Sequence, residues 1–378
     1  MKIEAAIARM AGKGLSIESV DLDTPRADEV LVRIAACGIC HTDESVMQGQ
    51  FSLPVALPMI LGHEGSGIVE AVGAQVTGLV PGDHVVLSID GCGACAKCRN
   101  GLLPYCERSM AANFSGARLD GSATARDRNG AMGAAFFGQS SFATHAIARW
   151  TNAIKVPSNL PIEMLAPLGC SIQTGTGAVL NILAPESGES IAIFGVGAVG
   201  LSAVMAARLV GCDPIIAVDT RPDRLDMAIE LGATHAIDAR SGNLCSAVRA
   251  IAPAGLAKSV DTTGVPDVVM AATEALGANG VLALLGAPAA GTRVSLDMAD
   301  LLYGKTIKGS IQGDSNPHEF ISKLAELHGQ GLLPFEKFVR FYPFNEIDTA
   351  MRDAAAGSAI KAVVRMPPAS GTGTQPSA

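Results

Sequence analysis

The chain is poor in charge, in aromatic residues and in unbroken apolar runs. Of its 378 residues 17% are charged, against roughly 25% in an average soluble domain, while 48% are hydrophobic. That balance excludes an extended disordered chain, because there is ample apolar surface to offset ordering entropy. No Lys- or Arg-rich run occurs and the formal net charge is −8, which argues against nucleic acid or an anionic membrane as a partner. The 42 glycines follow no G-X-Y period, so a collagen-like helix is excluded. The longest stretch free of Asp, Glu, Lys and Arg, residues 164–185, is broken by Pro167 and Gln173. The more apolar stretch 190–207 carries Gly195, Gly197 and Gly200 in its middle and lacks an aromatic belt or a positive flank. It reads as a buried strand, a glycine turn and a buried helix rather than a membrane span. Glu4 and Arg9 stand where a signal peptide needs an apolar core, so the expected location is the cytoplasm.

Cysteine is present in an odd number, nine, which with no secretory signal argues against a disulfide framework. Four of the nine form one block, Cys92-x2-Cys95-x2-Cys98-x7-Cys106. Gly91, Gly93 and Gly101 let the backbone curl around an ion. Four thiolates close a tetrahedral zinc site and leave no open position, so this site reads as structural. A loop of simply reduced cysteines is the alternative. An iron–sulfur cluster usually wants a different spacing. Cys37, Cys212 and Cys245 read as buried thiols.

Residues up to about 170 read as mostly β, by alternation and turn signals, with strands over Glu29–Ala36, Gly67–Val72 and His84–Ser88. The segment from about 107 to 135 reads as a long surface loop. After Cys170 short apolar strands alternate with helical stretches: strands at 190–194, 213–218, 235–238, 259–263 and 281–285, and helices after 200, at 224–232, near 242–251 and at 271–276. This alternation means βαβ units and a parallel sheet. A helix near 318–329 and a strand over 359–364 follow, and residues 369–378 are expected to be a disordered tail.

Gly195-Val196-Gly197-Ala198-Val199-Gly200 fits G-x-G-x-x-G. It follows the strand IAIF and opens a helix, and Asp219 lies 19 residues after Gly200 at the end of the next strand, so the context of a dinucleotide fingerprint is complete. The glycines allow a tight turn and close approach to a pyrophosphate, and the helix N-terminus offers unpaired N–H groups. A carboxylate at 219 favours NAD over NADP. Arg221 and Arg224 nearby temper that preference.

The remaining ligand chemistry lies in Cys37-Gly-Ile-Cys40-His41-Thr42-Asp43, in Gly62-His63-Glu64-Gly65-Ser66-Gly67 and at Cys170. These blocks, the four-cysteine loop and the glycine fingerprint, in this order over residues 3–366, resemble the zinc-dependent medium-chain alcohol dehydrogenases. The run Phe136-Phe137-Gly138-Gln139-Ser140-Ser141-Phe142 and the 107–135 segment resemble the aryl (benzyl) alcohol dehydrogenase branch.

The resemblance implies a mixed α/β fold: a β-rich, GroES-like catalytic domain at 1–171 and 312–368, and a Rossmann, doubly wound parallel-sheet NAD-binding domain at 172–311. It implies two zinc ions per chain. Cys40, His63 and Cys170 would hold the catalytic one, the ligand set known for alcohol dehydrogenases. Glu64 is placed to approach the metal during exchange, Asp43 to orient the His63 imidazole, and Thr42 to take the alcohol proton into a hydroxyl relay. His41 and Lys361 fall where relatives hold the pyrophosphate, Thr174 near the nicotinamide, and Asp219 and Arg224 at the adenosine ribose. Many relatives carry a histidine three residues beyond Thr42 as the outer end of the relay. This chain has Ser45 there, so proton release runs through the ribose, His41 or a water. Phe51, Ser88, Phe136, Phe137 and Ile311 are the expected pocket residues, Ser88 being small where some relatives are aromatic.

The expected reaction is reversible oxidation of a primary aromatic or allylic alcohol, benzyl-type or monoterpenoid, to its aldehyde with NAD. Glutathione-linked formaldehyde oxidation is the alternative and needs a basic anchor, for which Arg118 and Arg126 are the residues to examine. A non-catalytic NAD-binding redox sensor is the reading from another class. Relatives also pair their dinucleotide domains through an edge strand, expected here around Val281–Val294, which implies a homodimer or homotetramer.

Overall fold

Strand Glu29–Gly38 buries Val30, Val32, Ile34 and Ala36 on alternate positions, the two-residue period of a pleated strand. It pairs antiparallel with Glu64–Val72, His145–Arg149 and Lys361–Arg365. These strands, with His84–Leu87, Ala153–Lys155 and Val339–Pro343, make a seven-stranded sheet. A second, antiparallel sheet of five strands is built on the Lys2–Ala8 and Leu15–Leu22 pair. In this computed structural model residues 1–51, 53 and 55–368 are described. The expected disordered tail at 369–378 lies outside the described residues.

The segment 107–135 is not the irregular loop that its glycines and arginines predict. It carries a helix, Ser109–Asn113, and a hairpin, Ala125–Asp127 with Gly130–Met132, that extends the five-stranded sheet. The turn is closed by the Asn129 N–H donating to Asp127 at 2.7 Å, with Gly130 at φ 117°. Arg118, its side chain buried, donates to Glu29 at 2.6 and 3.0 Å and to Asp23 at 3.0 Å. Short polar anchors thus order a segment that hydrophobic periodicity alone does not reveal.

The second half is a six-stranded parallel sheet made of Ile191–Phe194, Ile215–Asp219, His235–Asp238, Leu256–Asp261, Leu276–Leu284 and Thr306–Gly309. Numbered in chain order, they lie as 3-2-1-4-5-6, the arrangement of a doubly wound dinucleotide fold. The first strand is wholly buried, each large apolar side chain contributing about 1.5–3 kcal/mol. Helix Ala198–Val210 ends at Gly211, φ 85°, in a left-handed cap. Two expectations need correction. The helix expected at 271–276 is Pro266–Glu274, started by proline at its first turn, and Leu276 already opens the next strand. The edge strand expected around Val281–Val294 is not at an edge: Val281–Leu284 lies between two neighbours, residues 285–294 form no strand, and the edge is Thr306–Gly309. That strand is short and largely exposed, which leaves little apolar signal in the sequence. No described helix is long and apolar enough to cross a membrane.

Candidate metal centre and nucleotide cleft

Cys40 follows strand Glu29–Gly38 and caps helix His41–Met47. His63 and Glu64 sit where strand Glu64–Val72 begins, and Cys170 precedes helix Ser171–Gly177. These elements bring one ligand atom from each of Cys40, His63, Glu64 and Cys170 within 4.8 Å of one another. Asp43, fully buried, takes His63 Nδ1 at 3.1 Å and accepts the Gly62 N–H at 3.0 Å and the Cys40 N–H at 3.1 Å. Its carboxylate therefore fixes the imidazole by one nitrogen, while His63 Nε2 is buried with no hydrogen-bond partner among the described residues.

The electrostatics of the cluster are in conflict. The Cys170 thiol, hydrogen-bonded to the Cys40 sulfur, holds Cys40 well below the usual thiol range, and the same contact, with burial, holds Cys170 well above it. Burial works against charge on His63, but Asp43 and the Cys40 sulfur outweigh it and hold the ring well above its usual value. A divalent cation resolves this conflict by replacing protons on the ligands. An orphaned imidazole nitrogen facing two sulfurs is the donor set of a zinc site that keeps one position open. Glu64 is pushed up to about 7 by burial, although Lys361, 2.5 Å away, pulls it down. Lys361 is also fully buried and donates to the Ile39 carbonyl at 2.8 Å.

The four-cysteine block closes on itself in the same way. Its four sulfurs also lie within 4.8 Å of one another. Backbone N–H groups point at them: Cys92 to Cys106 Sγ at 3.2 Å, Cys95 to Cys92 Sγ at 3.3 Å, Arg108 to Cys106 Sγ at 3.3 Å. The Cys98 N–H, turned toward the Cys95 sulfur, lowers that thiol to about 6, while burial lifts Cys98 to about 12. Gly93 and Gly101 take φ of 72° and 73°, the left-handed geometry that the curl requires.

The nucleotide fingerprint opens onto a cleft of about 690 Å³ lined by Gly195, Gly197, Asp219 and Arg224 on one side and by Cys40, His41 and Lys361 on the other. Gly195 has φ 82°, and a Cβ on Gly200 would collide with the Gly195 carbonyl. Asp219 accepts the Val196 N–H at 2.8 Å and the Arg221 N–H at 3.0 Å, and Arg224 Nη1 stands 3.9 Å from its carboxylate. His41 is exposed, with Nδ1 3.4 Å from Glu44. Thr174 donates to the Cys170 carbonyl at 2.7 Å. Thr42 Oγ1 lies 3.8 Å from the Cys40 sulfur. A smaller cavity of about 140 Å³ is lined by His41, Thr42, Ser45, Gln50 and Phe51.

An aromatic cluster leans on the metal-facing imidazole. Phe137 stacks on His63 at 4.4 Å and Phe136 meets it edge-on at 5.7 Å. Phe114 joins Phe137 at 5.1 Å and Phe51 at 5.5 Å. Phe114 escaped the sequence reading because it lies in the segment read as a loop; its signal was an aromatic residue in a chain that has few. Two expected pocket residues stand apart from this cluster. Ser88 is fully buried and its hydroxyl donates to the Gly169 carbonyl at 2.8 Å. Ile311 is half exposed, with its N–H on the Tyr105 hydroxyl at 3.2 Å. Of the two residues offered as a basic anchor for the glutathione alternative, Arg118 is committed to Glu29 and Asp23, and Arg126 is exposed on the outer hairpin.

Known proteins carry the same frame. Residues 26–158 match the alcohol dehydrogenase GroES-like domain and residues 198–328 the zinc-binding dehydrogenase family. A geraniol dehydrogenase of Castellaniella defragrans is 43% identical over 364 residues, 96% of this chain and 97% of that one. This chain belongs to the zinc-containing medium-chain alcohol dehydrogenases. Among solved structures, benzyl alcohol dehydrogenase of Acinetobacter calcoaceticus superposes on this alcohol dehydrogenase with a TM-score of 0.93 at 42% identity, covering 97% of this chain and 100% of that one. An alcohol dehydrogenase zinc-binding domain protein of Burkholderia ambifaria gives 0.95 at 49% identity, covering 97% and 99%. The enzyme is thus a zinc-dependent, aryl-alcohol dehydrogenase-like oxidoreductase acting on small alcohols.

Proposed function

We propose that this enzyme oxidises a primary aromatic or allylic alcohol, benzyl-type or monoterpenoid, to its aldehyde and passes the hydride to NAD. The observation that carries the reading is the cluster of Phe51, Phe114 and Phe137 against His63, since aromatic walls favour a flat, apolar substrate group. The names of the geraniol and benzyl alcohol dehydrogenases point the same way. Residues 1–171 with 312–368 form the metal-bearing domain in this reading, and 172–311 the nucleotide domain.

Cys40, His63 and Cys170 would hold the catalytic zinc, and Cys92, Cys95, Cys98 and Cys106 the structural one. When bound, the catalytic ion supplies a Lewis acid that eases loss of the alcohol proton. Asp43 keeps the His63 tautomer fixed, so that Nε2 serves as ligand. Thr42 Oγ1 receives the proton, and the cavity it shares with His41 and Ser45 is the way out. Gly195, Gly197 and Gly200 let the pyrophosphate approach the backbone, with His41 and Lys361 as its cations and Thr174 near the nicotinamide. Asp219 takes the ribose hydroxyls and repels a 2′-phosphate, which favours NAD. Exposed Met298, Leu302 and Tyr303, close in sequence to the edge strand Thr306–Gly309, which is unpaired on its outer side among the described residues, support a homodimer or homotetramer.

The test is NADH formation by zinc-replete enzyme with benzyl alcohol, a monoterpenoid alcohol and ethanol, each with NAD and with NADP. Zinc is counted on the same sample. Preferred turnover of the aromatic or allylic alcohols with NAD at two zincs per chain supports the proposal. Far better turnover of ethanol overturns the substrate class. Phe114→Ala is expected to raise KM for benzyl alcohol about tenfold, the effect of about 1.4 kcal/mol of lost aromatic contact.

A further inference from the structure

Gln139 has no role in the reaction as described, yet every hydrogen-bonding position of its side chain is used. It is fully buried. Its Nε2 donates to the His63 carbonyl at 3.0 Å and to the Ser88 carbonyl at 3.2 Å. Its Oε1 accepts the Gly65 N–H at 3.0 Å and the Ser141 hydroxyl at 2.7 Å. One amide thus grips the peptide groups on both sides of Glu64, the first of them formed by the His63 carbonyl. The grip is tight: a Cβ on Gly65 would collide with the Ser141 hydroxyl.

From Ser88 the belt continues to the other ligand. The Ser88 hydroxyl donates to the carbonyl of Gly169, the residue before Cys170, and accepts from Gln173 Nε2 at 2.7 Å. At its other end Gln139 follows Phe136, Phe137 and Gly138 in the chain. Phe137 and Ser140 hold left-handed φ of 51° and 58°, conformations that non-glycine residues keep only when their surroundings impose them. Here the Ser140 hydroxyl ties the turn down, accepting the Phe136 N–H at 2.8 Å and donating to the Ile60 carbonyl at 2.6 Å.

We propose that Gln139 is a positioning residue that holds His63, the Cys170 turn and the Phe136–Phe137 wall in one fixed relation. It thereby sets both the metal geometry and the preference for aromatic alcohols. The selectivity half rests on the aromatic-alcohol reading above; the metal half does not. Ser88, small enough to pass both hydrogen bonds along, is the relay in this belt.

The experiment replaces the catalytic zinc with cobalt and compares the parent with Gln139→Met. The expected result is a shifted d–d absorption spectrum and about tenfold faster loss of the metal to a chelator, the low end of the 10–100-fold effects of removing groups that orient ligands. The ratio of kcat/KM for benzyl alcohol over ethanol should fall about tenfold. An unchanged spectrum with an unchanged loss rate overturns the proposal, and so does an unchanged ratio. If Gln139→Met does not fold, Ser88→Ala decides by the same spectrum and loss rate, an unchanged pair again overturning the belt. Failure of the aromatic reading shows separately, as absent benzyl alcohol turnover in the parent, whereas the cobalt readouts need no substrate.

Discussion

At the scale of single residues the metal centre is a matter of three side chains that cannot all keep their protons. Removing one sulfur removes a ligand and relieves that conflict without disturbing the nucleotide cleft's glycine side. Cys170→Ala is therefore expected to abolish turnover while NAD binding persists and zinc falls from two per chain to one, read by calorimetry and metal analysis. Full activity in that variant would falsify the assignment of Cys170. Cys40, His63, Asp43 and Cys170 were legible only through the family resemblance, since their spacing in the chain does not by itself bring them together. Ser88 was legible only as a small residue. That its hydroxyl is spent on the Gly169 carbonyl depends on a contact 81 residues away in the chain, which no local pattern encodes. Gln139, quoted only within the run that resembles the aryl branch, was given no role for the same reason, its partners His63 and Ser88 lying 76 and 51 residues away.

At the scale of elements, two short pieces depend on polar anchors rather than on core burial. The four-cysteine loop holds its shape through N–H groups aimed at sulfurs, so metal binding and local folding are one event. Cys98→Ala is expected to leave one zinc per chain and to lower the melting temperature, with the catalytic ligands untouched; unchanged zinc content would sink the structural assignment. The hairpin Ala125–Asp127/Gly130–Met132 is tied to the first hairpin by Arg9, which bonds Glu18 at 2.6 and 3.0 Å and pairs with Asp127. Arg9 holds both carboxyls below their usual range. Because the folded values are the lower ones, the stability they add is complete above the unfolded carboxylate range, roughly pH 4. It is lost as pH falls through the folded values. The Arg9 contribution, read as the difference in melting temperature between the parent and Arg9→Met, should thus be constant from pH 7 to 5 and shrink below about 4. The parallel-sheet elements were legible because buried strands alternating with amphipathic helices leave a strong periodic signal. The Thr306–Gly309 edge and the 107–135 segment were not, since exposed short strands leave almost none.

At the scale of the whole molecule, Met298, Leu302 and Tyr303 stand exposed, close in sequence to a sheet edge that is unpaired among the described residues, a combination that soluble chains usually cover. Light scattering is expected to report a particle heavier than the 38.6 kDa chain, and Leu302→Asp to shift it toward that mass; a parent already at chain mass would refute the assembly. The metal-bearing half is also divided along the sequence. Strand Lys361–Arg365 pairs with Glu29–Gly38 and brings Lys361 against Glu64 and the Ile39 carbonyl. A ribosome that has released the first 170 residues has therefore made every metal-binding side chain but not the pocket that holds them. For some 190 further residues, thiols and imidazole wait beside a sheet whose central strand still lacks its partner over residues 36–38, just before Cys40. The nucleotide domain, continuous in sequence, is free to fold in that interval, as domains do during synthesis. Order of manufacture thus sets an order of maturation: cofactor half first, reactive half last. A message cut short before codon 361 yields a protein with all its ligands and no finished place to load them.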